Sequence, residues 1–168
     1  MTKATRQKTV TLVLTVIYGL AVIWIILFKM SAISEIPYLD RIRRVNLIPF
    51  HYDTEMDSHF SEVFENILIF IPLGLYLKML GKSNLFSILA GFGFSLLLEL
   101  AQYIFRIGVS DLTDLMMNTL GAVIGVLLYV GLEKLFRNRE KLNKVLNIIA
   151  SAGTAVFLVF TALLLLSN

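Results

Sequence analysis

Cysteine is absent from the 168 residues. Disulfides and thiolate metal sites are therefore excluded. Charge is scarce. Only 16% of residues are charged, against ~25% in a typical soluble domain. There is no hydrolase nucleophile elbow, no phosphate-binding glycine loop and no His-x-x-x-His zinc pair. No basic stripe interleaved with aromatics lies outside the apolar runs, so nucleic acid is not an expected partner. Internal repeats and low-complexity tracts are also missing.

What is present is apolar surface in excess. Residues are 57% hydrophobic and the mean hydropathy is +0.79. A water-soluble globule of this size cannot bury that much, so the surplus must face lipid. A membrane-spanning helix needs ~20 mostly apolar residues. Five segments qualify, at about 10–28, 63–80, 85–105, 112–132 and 145–166. The first is too long for the ~7–15-residue core of a signal peptide and reads as a retained span. The expected fold is all-α: a polytopic membrane bundle of five transmembrane helices, forming one membrane domain over residues 1–168.

Lysine and arginine orient the bundle. With the N-terminus inside, the inner segments hold Lys3, Arg6, Lys8, Lys78, Lys82, Lys134, Arg137, Arg139, Lys141 and Lys144, ten in all. The outer segments hold five: Lys29, Arg41, Arg43, Arg44 and Arg106. This predicts N-in, C-out. Gly81-Lys82-Ser83-Asn84 and Ile107-Gly108-Val109-Ser110 read as tight turns that make neighbouring helices antiparallel. Ser31–Glu62 is a long outer loop. Within it, Tyr38–Ile48 mixes apolar and charged residues as a short amphipathic surface helix does. His51 and His59 flank Asp53, Glu55 and Asp57, which suits either a metal site or plain solvated histidines. Arg41, Arg43 and Arg44 suit lipid phosphates or an anionic headgroup.

The informative polar residues lie inside the spans. Glu99, Gln102 and Arg106 share one face of the third helix at i, i+3, i+7. Asp111, Asp114 and Asn118 repeat that spacing on the fourth, with Gly121 and Gly125 continuing the stripe. Glu65 and Asn66 fall near the outer end of the second helix. An ionisable group at membrane depth costs ~2.5–3.5 kcal/mol or more and marks a functional site by default. Glu99 is the strongest case, the rival being a structural polar knot that holds the bundle. Asp111 and Asp114 can cap the fourth helix, Ser110 being another cap candidate, and can also rim a site or hold magnesium. Gly121 and Gly125 suggest close helix packing. Pro72 and Gly74 suggest a kink in helix two, and Trp24 a packing or lipid-facing ring.

These residues, in this order, resemble the VanZ-like family of bacterial membrane proteins. The resemblance runs over about 46–128: Asn46-Leu47-Ile48-Pro49-Phe50, then Glu65-Asn66 through Pro72-Leu73-Gly74, then Glu99 with Gln102, Asp111 with Asp114, Asn118, Gly121 and Gly125. It implies a cell-envelope role linked to resistance to teicoplanin, a lipoglycopeptide that binds peptidoglycan precursors. It carries over Asn46, Pro49, Phe50, Asn66, Pro72, Gly74, Glu99, Gln102, Arg106, Asp111, Asp114, Asn118 and Gly121. The expectation is an outward-facing polar pocket made by Glu65, Asn66, Glu99, Gln102, Arg106, Asp111, Asp114 and Asn118. Beside membrane lipids, its partner would be a lipoglycopeptide or a lipid-linked wall precursor. No cofactor is expected. Magnesium at Asp111 and Asp114 belongs only to a second reading, an intramembrane enzyme acting on a lipid phosphate or another envelope lipid. A small transporter or flippase subunit ranks below both.

Overall fold

Each apolar run becomes a helix, and four of the five helices extend past the run by a turn or more. The computed structural model describes residues 3–28, 42–50 and 56–167. The helices are α1 (Lys3–Phe28), α2 (Met56–Met79), α3 (Asn84–Phe105), α4 (Leu112–Phe136) and α5 (Arg139–Ser167). All five are long and apolar enough to cross a membrane. Inside lipid every backbone N–H and C=O must be satisfied within the chain, and a helix does this by itself.

The helix ends follow local chemistry. Ser83 caps α3 by accepting from the Phe86 N–H at 3.1 Å. Gly81 closes α2 at φ 86°, with Lys82 N donating to Leu77 O and Gly81 N to Lys78 O. That is a Schellman turn, and only glycine takes such a φ without strain. At the same end Arg139 ties two connections together. Its Nη2 donates to Lys78 O at 3.1 Å and its Nε to the Tyr129 hydroxyl at 3.2 Å.

Two expectations need correction. Within Tyr38–Ile48, residues Ile42–Asn46 form a strand, β1, and not an amphipathic helix. Ile107–Asp111 is a second strand, β2, and not a simple turn. The two pair in parallel, from Ile42 opposite Ile107 to Asn46 opposite Asp111. The physical cause lies in the flanks. Arg106 ends α3 in the left-handed conformation at φ 60°, and the chain must then run extended to reach the cap of α4. An extended segment leaves backbone groups unpaired, and β1 supplies partners for them. The long connection is also shorter than predicted, because α2 starts at Met56. His51, Asp53, Glu55 and Arg41 lie outside the described residues.

α2 and α4 form the tightest seam. A Cβ on Gly121 would collide with Ile67 O, one on Gly125 with Ile71 O, and one on Gly74 with Ala122 O. Lipid tails are as apolar as leucine, so helices associate here through close contact of small residues. Gly74 is thus explained by packing against α4. Pro72 lies within α2. It has no N–H to donate one turn back.

Candidate functional site

The buried face of α3 is its polar face. Ser87, Gly91, Ser95, Leu98, Glu99 and Gln102 point inward, while Leu97, Leu100, Ile104 and Phe105 are exposed. This inversion of the soluble pattern follows from the solvent: leucine is at ease in lipid and a carboxylate is not. Glu99 is 6% exposed, Gln102 8% and Asn118 1%.

Glu99 meets the start of α4. Its Oε2 accepts from the Asp111 N–H at 2.8 Å, and its backbone carbonyl accepts from the Ser110 hydroxyl at 2.7 Å. Asp111 is the N-cap of α4, with Oδ1 accepting from Thr113 N at 2.6 Å. In a capping box the acidic residue at the third helical position would reach back to the N-cap N–H. Here that position is Asp114, and its Oδ1 instead accepts from Asn66 Nδ2 at 2.7 Å. Glu99 takes over the task from the neighbouring helix. The second oxygen of Asp111 accepts from Asn46 Nδ2 at 2.9 Å, which fastens β1 to the helix start. The Thr113 hydroxyl accepts from Phe50 N at 3.0 Å.

Deeper in the bundle, Asn118 Nδ2 donates to the Ser95 hydroxyl at 2.9 Å. Gln102 Nε2 reaches Ile26 O of α1 at 3.4 Å. The carbonyl oxygens of Asn118 and Gln102 are buried without a partner. Glu65 and Arg106 stand apart from this group. Both are exposed, and no ion pair joins Arg106 to Glu99 among the described residues. Arg43 of β1 instead packs on Tyr103 of α3. Its guanidinium stacks 4.9 Å from the Tyr103 ring centre, and its Nε donates to Tyr103 O at 3.3 Å.

A groove of about 340 Å³ opens beside Glu99. Val45, Leu47, Leu96, Leu100, Leu112 and Leu115 supply apolar walls, and Glu99, Ser110 and Asp111 border the groove with their polar atoms turned mainly to one another and away from it. Apolar walls with a few placed polar groups are the usual make-up of a ligand site. Among the described residues no three His, Asp or Glu side chains converge as a metal ion would need.

Residues 15–137 match the family model described as VanZ/LLP1. The chain belongs to the VanZ/LLP1 family. The matched stretch is wider than 46–128: it begins inside α1 and takes in all of α4. It therefore contains both strands, the glycine seam and the groove. Among relatives, Protein VanZ of Enterococcus faecium is 35% identical over 153 residues, covering 88% of this chain and 89% of that protein. No solved structure matches.

Sequence spacing alone had pointed to Glu99, Gln102, Asp111, Asp114 and Asn118. It passed over Ser95 and Thr113. Ser95 was findable, since it lies four residues before Glu99 on the same stripe as Ser87 and Gly91. Thr113 was not, because its partner is the backbone of Phe50, 63 residues away.

Proposed function

We propose that this VanZ/LLP1 chain acts in the bacterial cell envelope, with α1 starting in the cytoplasm and the strand-bearing end outside. There the groove engages an amphiphile, a lipoglycopeptide antibiotic or a lipid-linked wall precursor, and so contributes to glycopeptide resistance. One observation carries the reading: a carboxylate at membrane depth, Glu99, sits on the wall of a groove that is otherwise apolar. The apolar walls suit a lipid-bearing molecule. Glu99 and Asp111, bordering the groove behind those walls, would meet amide, amine or hydroxyl donors on its polar part once their side chains turn toward it. Asp114 and Asn66 close the cluster on the α2 side. Ten lysines and arginines on the inner segments against five on the outer support the orientation.

The test replaces Glu99→Gln and Asp114→Asn in stably inserted protein. Glutamine keeps an acceptor for the Asp111 N–H and removes the charge, so a folding defect is not expected. Glycopeptide susceptibility and binding of the lipoglycopeptide should both change; if neither moves, the reading is wrong. Because the chain lacks cysteine, a single Val109→Cys reports orientation through a membrane-impermeant maleimide. Labelling should occur from outside intact cells, and labelling only after lysis would reverse the topology.

A further inference from the structure

A second cavity lies on the other side of α2, between α1, α2 and α5, with a volume of about 470 Å³. It shares no lining residue with the groove at Glu99. Its walls are almost wholly apolar, among them Val22, Pro72, Ala150, Gly153 and Phe157. Below it, Thr11 Oγ1 donates to Asn147 Oδ1 at 3.0 Å and Asn147 Nδ2 to Gln7 O at 3.3 Å, which pins α1 to α5. Above, Trp24 meets Phe157 edge-on at 6.5 Å. Between these two ties the helices part. The space is therefore a slot lying along the helices, inside the ~300–1,000 Å³ range of small-molecule sites.

The α2 wall of this slot is the stripe Leu68, Ile69, Pro72, Leu75, Tyr76 and Met79. Continuing that stripe one turn toward the strands gives Glu65, at i−3 and i−4 from Leu68 and Ile69. Glu65 is exposed. It forms no hydrogen bond or ion pair among the described residues. Its neighbour Asn66 turns to Asp114, so two adjacent residues serve two different faces of the helix. Glu65 lies one turn beyond the lined part of the slot, and an acid just past the end of an apolar slot is complementary to one shape of molecule: a long chain ending in a cation.

We infer that the α1–α2–α5 slot binds the chain of a single-chain amphiphile whose cationic amine head rests on Glu65. This goes beyond the groove at Glu99 and does not depend on it.

Trp24 is the chain's sole tryptophan, and its contact Phe157 lines the slot, so its fluorescence reports occupancy. The protein in lipid nanodiscs is titrated with a long-chain primary amine brominated near mid-chain, and separately with the matching brominated alkyl sulfate. The amine should quench Trp24 saturably. Glu65→Gln should weaken the amine by about 3–5-fold, the worth of a part-exposed ion pair, and leave the sulfate unchanged. Gly153 lines the slot and a Cβ added there meets nothing within 4 Å, so the branched side chain of Gly153→Leu is expected to occupy the slot and should abolish the saturable phase. Ala150→Leu repeats that test from another wall position. Gly131→Leu, likewise free of contacts but outside the slot, should leave quenching intact. Quenching that only rises in proportion to bromine in the bilayer, and is the same in Gly153→Leu, overturns the slot. Equal affinity for amine and sulfate, unaltered by Glu65→Gln, overturns the amine head. A Glu99→Gln protein that keeps the quenching but loses its resistance phenotype separates the two sites.

Discussion

The two sides of α2 are built by opposite means. Toward α4, glycines at 74, 121 and 125 bring backbone against backbone, and an added methyl would strike a carbonyl oxygen. Toward α1 and α5 the helices are held at separated ties with a cavity between them. The difference extends to whole helices: 33% of the apolar stretch of α4 is buried, against 6% of that of α5. In lipid, contact between helices is not enforced by expulsion of water, so a bundle is tight only where small residues let it be. The tight side carries the polar cluster. This fits the need for precision there, because Asn66 of α2 must meet Asp114 of α4 at 2.7 Å.

The comparison can be broken most sharply at the seam. Gly125→Val should cost ~3 kcal/mol or more, since its Cβ would collide with the Ile71 backbone, which cannot rotate away. Unfolding in mixed micelles should register the loss, and a stable Gly125→Val protein would mean that the seam is less close than described. Next comes the link from seam to strands. Asp111→Ala removes the cap of α4 and the anchor of Asn46 together, and should cost ~1–2 kcal/mol. Faster amide exchange in Ile42–Asn46 should accompany it, whereas an unchanged strand would show that β1 is held by other contacts. At the small end, Gly153→Ala on the loose side should be neutral or up to ~0.5 kcal/mol stabilising, as a glycine removed from a helix without a clash. A destabilisation comparable to that of Gly125→Val would erase the contrast between the two sides.

Much of this architecture was legible before any coordinates. The five helices were, because a run of apolar residues as long as the bilayer is thick has few alternatives. The start of α4 was, down to a cap at Ser110 or Asp111, because capping is decided within four residues; the structure chooses Asp111. The strands were not. Each is five residues long, and Arg43 and Arg44 in the first made it look like a surface helix. Arg106 was misleading for another reason. Its spacing from Glu99 is right for a shared helix face, but α3 ends at Phe105 and Arg106 turns left-handed, out of register.

The sequence by itself determined that this chain lives in a membrane, how many helices it has, and which polar residues are out of place there. Those are consequences of composition and of spacings shorter than two helical turns. Only the tertiary structure decided who meets whom. Glu99 receives the N–H of Asp111, Asn46 reaches across 65 residues to the same aspartate, and Asn66 of α2 meets Asp114 of α4. Such pairings depend on how helices lie against one another, and that is set by backbone contact at a few glycines, which no local window of sequence can measure.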